Sequence, residues 1–253
     1  MSRFKVGVTL HPQHCTVDQL REAWREADEM GVDSIWTWDH FFPLYGERDG
    51  AHFEGWTLLA AMAVDTRRAR FGALVSCNSY RNPELLADMA RTVDHLGGGR
   101  AILGIGSGWF ERDYAEYGYE FNSAGWRLKQ LGKALPRIES RLKKLNPGPV
   151  GDLPIMIGGS GEKVTLRLVA KHAQMWNSSR PPSRFRHKNS VLNQWCEKLG
   201  RDPKEIERTC TISEEDIEDV DAFVDAGAEH LILDVGQPFD LAPVRRLLEQ
   251  AHG

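Results

Sequence analysis

The fold is decided by residues 4–38, FKVGVTLHPQHCTVDQLREAWREADEMGVDSIWTW, which contain a strand, a helix and a second strand in succession. Residues 4–10 form a short, mostly apolar run that predicts a buried strand. The next stretch has apolar residues at helical spacing, an N-cap candidate at Thr16 or Asp18, and Gly31 as its end signal. A second apolar run follows directly at residues 32–38. This is the sequence of a βα unit that enters a parallel sheet.

The same alternation continues to the end of the chain. Further strands are predicted at 70–76, 100–106, 153–159, 173–179, 206–212 and 228–235, with helices at 55–64, 83–96, 123–145, 161–172, 185–199, 214–226 and 240–251. About eight such units in one domain, residues 1–253, match the size of an α/β protein of the (β/α)₈ TIM-barrel class. A doubly wound open sheet fits the same alternation, but the eightfold count favours closure. In a barrel, binding and catalytic residues follow the C-terminal ends of the strands.

Composition excludes several classes of protein. The chain has 32 Lys and Arg against 36 Asp and Glu, so its net charge of -4 gives no reason to expect nucleic acid as a partner. No apolar run approaches the ~20 residues that span a bilayer, and the first residues lack a signal-peptide core. We therefore expect a cytoplasmic protein that binds no membrane. The four cysteines lack metal-ligand spacing, which predicts free thiols and no metal site.

The second predicted strand ends in WTWDHFFP, residues 36–43, which places Asp39 and His40 at the rim of the barrel among aromatic side chains. An imidazole there can transfer a proton near neutral pH or donate a hydrogen bond to a cofactor. Alternatively, the neighbouring aspartate satisfies His40, which then serves only packing. The position at the barrel rim favours His40 as a catalytic residue.

Small residues follow the third and fourth strands. The third strand runs into Ser76 and further small, polar residues, and the fourth runs into GIGSGW, residues 104–109. The alternating glycines do not match the GxGxxG fingerprint of dinucleotide-binding proteins. Missing side chains at these positions would let a flat ring approach the backbone. Ordinary turns between strand and helix are the alternative explanation.

The fifth strand leads into a glycine-rich turn, Gly158-Gly159-Ser160-Gly161, and then into a helix. Successive backbone N–H groups at such a helix N-terminus bind anions, and the helix dipole favours phosphate there. The GxxxxGK[ST] pattern of nucleotide-hydrolysing loops is absent. The turn therefore predicts a phosphate site, with a purely structural turn as the alternative.

Taken together, WTWDHFF, RFGALVSCNSYRNPELLA, GGRAILGIGSGW and PIMIGGSGEKVTLRLVAKHA resemble the luciferase-like monooxygenase family, especially its members that use the deazaflavin coenzyme F420. The resemblance covers most of residues 4–180 and is weaker afterwards. It implies a bacterial-luciferase-like barrel, active as a homodimer, that transfers a hydride between F420 and a small organic substrate. An FMN-dependent monooxygenase that uses reduced flavin and oxygen is the alternative enzyme. A non-catalytic flavin-binding barrel and a barrel aldolase or isomerase are alternatives of other classes.

The resemblance also implies roles for individual residues. His40 would contact the redox-active face of the ring and exchange a proton, and a non-prolyl cis peptide would lie behind the ring at Leu74–Val75. The cofactor site would comprise Asp39, His40, Leu74, Val75, Ser76, Gly106, Ser107, Gly108 and Trp109 around the ring and Gly158, Gly159, Ser160 and Gly161 at the phosphate, with Glu54 and Trp56 facing the substrate. Two connections, residues 146–152 and 214–220, are shorter than is usual in the family, which predicts shortened insertions and a more open mouth.

Overall fold

The computed structural model describes residues 2–253 as a ring of parallel strands surrounded by helices. The strands are β1 Lys5–Leu10, β2 Ser34–Thr37, β3 Arg70–Ala73, β4 Ser76–Cys77, β5 Ala101–Gly106, β6 Ile155–Gly158, β7 Met175–Ser179, β8 Glu207–Ile212 and β9 His230–Val235. The helices are α1 Val17–Met30, α2 Gly55–Asp65, α3 Pro83–Leu96, α4 Glu111–Tyr117, α5 Ala124–Leu142, α6 Thr165–His172, α7 Pro182–Leu199, α8 Val220–Asp225 and α9 Ala242–His252.

The ring is closed, which confirms the predicted (β/α)₈ barrel. The strand order is β3-β2-β1-β9-β8-β7-β6-β5-β4, and an additional pairing of β3 with β5 joins the two ends. Because β3 and β4 are two halves of one interrupted strand, the nine segments make an eight-stranded barrel. Within residues 2–253, none of the helices combines the length and the apolar character that crossing a bilayer requires.

The first βα unit forms as its sequence predicts. Thr16, not Asp18, is the N-cap of α1, and its side chain forms a capping box with Gln19. Gly31 ends the helix at φ 88°, a conformation that favours glycine. Alternate residues of each strand face the surrounding helices or the barrel interior. The main core lies between strands and helices, and a smaller cluster fills the barrel: Trp36, Ile102, Met156, Met175 and Ile232.

Several elements differ from the prediction. The third strand breaks at Leu74 and Val75, α6 begins at Thr165 and not near 161, and residues 214–219 form a 3-10 turn before α8. Helix α4, Glu111–Tyr117, was not predicted at all. It is only two turns long, and its first residues carry three charges, so the apolar periodicity that identifies helices is weak there.

The connection between α5 and β6 does not affect the mouth of the barrel. Its backbone accepts hydrogen bonds from Arg91 and His95 near the C-terminal end of α3, and the Val150 amide donates to Asp94 at 2.8 Å. The C-terminal ends of helices lie at the opposite face of a barrel from the catalytic mouth. The prediction that this short connection opens the mouth is therefore wrong.

A polar network closes the barrel at that opposite face. Glu207 accepts hydrogen bonds from Lys5 at 2.6 Å and from His230 Nδ1 at 2.8 Å. The other nitrogen of His230 lies 2.9 Å from Ser34 Oγ, which also accepts a bond from the Trp36 indole at 2.6 Å. Although burial of Glu207 opposes its ionisation, His230 and Lys5 lower its pKa to about 2. This carboxylate therefore contributes to stability.

We predict that Glu207→Gln lowers the free energy of unfolding by on the order of 3 kcal/mol at neutral pH. Because the folded pKa is depressed, the contribution is complete above the unfolded value near 4.5 and is lost as the pH falls towards about 2. Urea unfolding of both proteins at about pH 7 and about pH 3.5 measures the difference, which should be clearly smaller at the lower pH.

The matched control is Glu205→Gln, because the Glu205 side chain is 60% exposed and, among residues 2–253, pairs only with Arg201, four residues earlier in the chain. Its effect should stay within about 0.5 kcal/mol. Equal losses in the two variants would contradict the assignment of stability to the buried network.

Candidate active site in the barrel mouth

His40 follows β2 and is fixed by Asp113 of α4. Its Nδ1 donates to Asp113 Oδ2 at 2.7 Å, and the carboxylate is fully buried. The Phe41 amide and the Tyr80 hydroxyl donate to the same carboxylate at 3.1 and 2.7 Å. Burial raises the pKa of Tyr80, which keeps its proton and remains a donor. Because Nδ1 carries the proton that it donates to Asp113, neutral His40 has its lone pair on Nε2.

Aromatic side chains surround the His40 ring. Trp38, Trp109 and Phe110 approach it edge to face, with ring centroids 6.2, 5.6 and 5.4 Å away. Trp109 is 62% exposed and so forms part of the open rim. The His40 side chain itself is only 12% exposed. The imidazole thus lies in a partly dehydrated setting beside the mouth, as proton transfer to a bound ligand requires.

Asp39 has a different partner from the one that its place beside His40 suggests. Its carboxylate receives two hydrogen bonds from Arg81, at 2.6 and 2.8 Å, and one from the Cys77 amide at 3.0 Å. Arg81 also donates to Glu54 at 2.5 Å. Asp39 therefore ties the end of β2 to the start of α3, and the alternative in which it satisfies His40 is wrong.

Glu54 and Trp56 both form hydrogen bonds within the protein. The Glu54 carboxylate caps α2 by accepting from the Trp56 and Thr57 amides, at 3.2 and 2.7 Å. Burial opposes its ionisation, but Thr57 and the charge of Arg81 hold the pKa of Glu54 below its ordinary value. Trp56 is 4% exposed and donates to Ser76 Oγ at 3.0 Å. Both residues thus support the strand ends, and because the Glu54 side chain is 38% exposed, their position facing the substrate stays a prediction.

Val75 occupies the space that three glycines leave open. The Leu74–Val75 peptide bond is cis, at the position that the resemblance implies. A Cβ atom at Gly106 would lie 2.7 Å from Val75 Cγ2, and one at Gly158 would lie 3.0 Å from Val75 Cγ1. At Gly104 it would lie 2.0 Å from the Ala73 carbonyl oxygen. The glycines of β5 and β6 therefore make room for the interrupted strand, and we call the apolar surface that they form together with Val75 the Val75 floor.

The remaining residues of the GIGSGW segment border this floor. Gly108 has φ 79°, and a Cβ atom there would lie 2.0 Å from the Tyr114 hydroxyl. Its carbonyl accepts a hydrogen bond from Arg127 at 3.0 Å. Ser107 is half-buried between Gly106 and Gly108. Gly108 is thus required by backbone conformation and by packing, whether or not a ligand is bound.

The glycine-rich turn is anchored to β7. The Gly159 amide donates to the Asn177 carbonyl at 3.0 Å, and the Gly159 carbonyl accepts from the Trp176 indole at 2.8 Å. The Gly159 amide is therefore occupied, and the amides of Ser160 and Gly161 become the candidate donors to an anion. Arg184 of α7 donates to Ser160 Oγ at 3.2 Å. Among residues 2–253, no carboxylate pairs with Arg184, so its charge is available at the turn.

Sequence reasoning missed the residues that hold the site together. Asp113 lies on the unpredicted helix α4, and Tyr80 and Arg81 lie in the loop after β4. One local signal of α4 was present in the sequence. Gly118 ends this helix at φ 68°, and a glycine is the residue that most often ends a helix in this conformation. The long-range partners of Asp113 and Arg81 have no local signal, because they come from other βα units.

The barrel fold agrees with comparisons to known proteins. The model of the luciferase-like monooxygenase family matches residues 1–222. The chain therefore belongs to the luciferase-like monooxygenase family. An F420-dependent glucose-6-phosphate dehydrogenase of Amycolatopsis mediterranei (strain U-32) is 32% identical over 151 residues, which cover 58% of this chain and 44% of that protein.

Two solved structures share the fold at low identity. An F420-dependent secondary alcohol dehydrogenase in complex with an F420-acetone adduct has a TM-score of 0.85 at 16% identity, covering 99% of this chain and 98% of that one. The oxygenating constituent of 3,6-diketocamphane monooxygenase from Pseudomonas putida, in complex with FMN, has a TM-score of 0.77 at 14% identity, covering 99% and 98%. The chain spans about half the length of the curated relatives it matches, from 44% to 58%.

We predict that Gly106→Ala destabilises the protein by about 1–3 kcal/mol, because the new methyl group collides with Val75. Val75→Ala removes the colliding atoms, so the double variant should recover at least about 1 kcal/mol relative to the sum of the single changes. Urea unfolding of the four proteins measures this coupling. Gly125→Ala is the control, since no atom lies within 4 Å of its Cβ position. Additive effects of the two substitutions would show that Val75 and Gly106 do not constrain each other.

Proposed function

We propose that the protein is an F420-dependent oxidoreductase that transfers a hydride between the deazaflavin and a small organic substrate. The observation that carries this proposal is the position of His40, held by Asp113 with Nε2 free, in the same barrel mouth as the Val75 floor and the glycine-rich turn. A proton-transferring group, a flat apolar surface and an anion-binding turn are the parts that such a cofactor enzyme needs.

The residues present fit a flat cofactor that carries a phosphate group. Val75 covers Gly106 and Gly158, and its half-buried apolar side chain is the surface against which a planar ring would lie. The amides of Ser160 and Gly161 and the unpaired guanidinium of Arg184 would hold the phosphate. When bound, the deazaflavin would supply a carbon that accepts or delivers the hydride.

His40 handles the proton that accompanies hydride transfer. During oxidation of an alcohol, a hydride leaves the carbon and a proton leaves the oxygen, and His40 Nε2 accepts that proton. In the reverse direction, the imidazolium returns the proton to a carbonyl oxygen. Asp113 stabilises the imidazolium and fixes the ring orientation through Nδ1, so it acts as a positioning residue.

Relatives support this choice of cofactor. Curated relatives include the F420-dependent dehydrogenase and a 5,10-methylenetetrahydromethanopterin reductase of Methanolobus tindarius. The FMN-bound structural neighbour keeps an FMN-dependent monooxygenase as the second candidate. The homodimer implied by the resemblance and the cytoplasmic location expected from the composition stay predictions.

We expect the purified protein to bind F420 more tightly than FMN. Fluorescence titrations with each cofactor measure the two dissociation constants. Stronger binding of FMN, together with oxygen uptake when reduced flavin is supplied, would instead make the protein a monooxygenase.

The same titrations test the phosphate site through Ser160→Asp, which places a carboxylate beside the proposed anion donors. Its matched control is Ser160→Asn, of similar size but uncharged. Ser160 suits this test better than Gly159, whose φ of 120° makes any side chain strained. If the Asp variant binds the cofactor as well as the Asn variant does, the phosphate lies elsewhere.

We predict that His40→Ala lowers the single-turnover rate of hydride transfer by at least about tenfold, since general acid–base assistance contributes about 10²–10⁴-fold. Asp113→Asn should lower the rate and shift its pH profile, because an amide no longer stabilises the imidazolium. F420 affinity should change much less in both variants. His95→Asn, at the opposite face of the barrel, is the control for changes to a histidine. A stable His40→Ala protein with the wild-type rate would remove His40 from the mechanism.

A further inference from the structure

A second histidine, His11, lies at the mouth directly after β1. Its ring stacks on the indole of Trp38, with ring centroids 4.3 Å apart and an interplanar angle of 22°. The His40 ring approaches the same indole edge to face, with ring centroids 6.2 Å apart. His11 is 8% exposed, so it is a buried titratable group that the proposed mechanism does not use.

The protonation of His11 follows from its partner Tyr45. The Tyr45 hydroxyl lies 2.5 Å from His11 Nδ1. Burial and the charge of Asp234 raise the pKa of Tyr45, so the phenol keeps its proton and is available as the donor to Nδ1. Neutral His11 then carries its own proton on Nε2. This tautomer is the opposite of the one that Asp113 imposes on His40.

The Nε2–H group of His11 has no hydrogen-bond partner among residues 2–253, although it is buried. Buried polar groups of a folded protein nearly always have a partner. The nearest acceptor is Asp234 Oδ1 at 3.6 Å, which is beyond good hydrogen-bond distance. A ligand oxygen at hydrogen-bond distance from Nε2 would satisfy the imidazole.

Two further polar groups lie beside His11. Thr9 precedes it by two residues and therefore faces the same side of β1, and its buried hydroxyl also lacks a protein partner within the described residues. Asp234 is the neighbour of Thr9 on β9. The Asp234 side chain is 43% exposed, and no Lys or Arg of residues 2–253 pairs with it. The cluster thus offers a donor, a hydroxyl and a free carboxylate.

We propose that Thr9, His11 and Asp234 form a substrate subsite that binds an uncharged hydroxyl or carbonyl group and disfavours anionic substrates. His11 Nε2–H donates to the substrate oxygen, and Asp234 accepts from a substrate hydroxyl. The free carboxylate repels phosphorylated compounds because like charges at short range are unfavourable. The proposal rests on the proposed function for its distinction between substrate and cofactor.

The position in the ring of strands assigns this subsite to substrate. The Val75 floor and the glycine-rich turn belong to β3 through β6, which is the half of the mouth that fits the cofactor. The subsite belongs to β1 and β9, on the opposite side of the strand order. His40, after β2, lies between the two halves, where proton transfer to a substrate oxygen is needed.

Nuclear magnetic resonance of protein with isotope-labelled histidine tests the proposal, with cyclohexanol as the uncharged probe and glucose 6-phosphate as the anionic probe. We expect cyclohexanol to shift the His11 ring signals and to leave those of His95 unchanged. His11→Asn keeps a polar atom near the Tyr45 hydroxyl but lacks Nε2. It should weaken cyclohexanol binding by about tenfold, followed at the Trp38 indole signal, and leave F420 affinity within about threefold.

Asp234→Asn tests the exclusion of anions. It should improve binding of glucose 6-phosphate by at least about tenfold and change cyclohexanol binding by less than about threefold. His95→Asn should alter neither.

Three results would overturn the proposal. The first is no response of His11 to cyclohexanol, and the second is unchanged exclusion of glucose 6-phosphate in Asp234→Asn. The third is a His11 response to F420 alone with weaker F420 binding in His11→Asn, which would assign the cluster to the cofactor. Failure of the wild-type protein to bind F420 would overturn the proposed function, while the cyclohexanol response of His11 would still report on the subsite.

Discussion

The buried carboxylate of Asp113 is the contact on which the rest of the site depends. It accepts hydrogen bonds from the His40 ring, the Phe41 amide and the Tyr80 hydroxyl, which follow two different strands. A buried charge is costly unless such donors surround it, so the two loop segments and α4 must assemble together. The same contact that organises the loops therefore fixes which nitrogen of His40 is available for proton transfer.

The mouth has two chemically different halves because of where glycine and polar residues lie on the strands. On β5 and β6, inward positions carry Gly104, Gly106 and Gly158, and Val75 fills the space they leave. On β1 and β9, inward positions carry Thr9 and Asp234. A flat ring gains by contact with the first half, whereas hydrogen-bonding groups are satisfied in the second. In the proposed assignment, this division gives cofactor and substrate separate surfaces within one barrel.

The sequence predicted best the features that depend on residues close together along the chain. The strand and helix periods predicted the barrel, and the pattern around Thr16 and Gly31 predicted both ends of α1. The resemblance placed the cis peptide at Leu74–Val75. It could not show that Asp39 pairs with Arg81 or that His40 pairs with Asp113, since each pair joins residues more than thirty positions apart. Glycines that appeared to make room for a ligand first make room for Val75, which only packing reveals.

A histidine paired with a carboxylate is not by itself a sign of function in this fold. His230 pairs with Glu207 as closely as His40 pairs with Asp113, at 2.8 and 2.7 Å. The difference lies in the second ring nitrogen. In His230 that nitrogen is hydrogen-bonded to Ser34. Both ring nitrogens therefore have partners, and the network stabilises the face of the barrel opposite the mouth. In His40 and His11 the second nitrogen has no partner among the described residues, and both rings border the mouth. An incomplete hydrogen-bond network at the strand ends, more than the residue type, therefore distinguishes the groups that can meet a ligand.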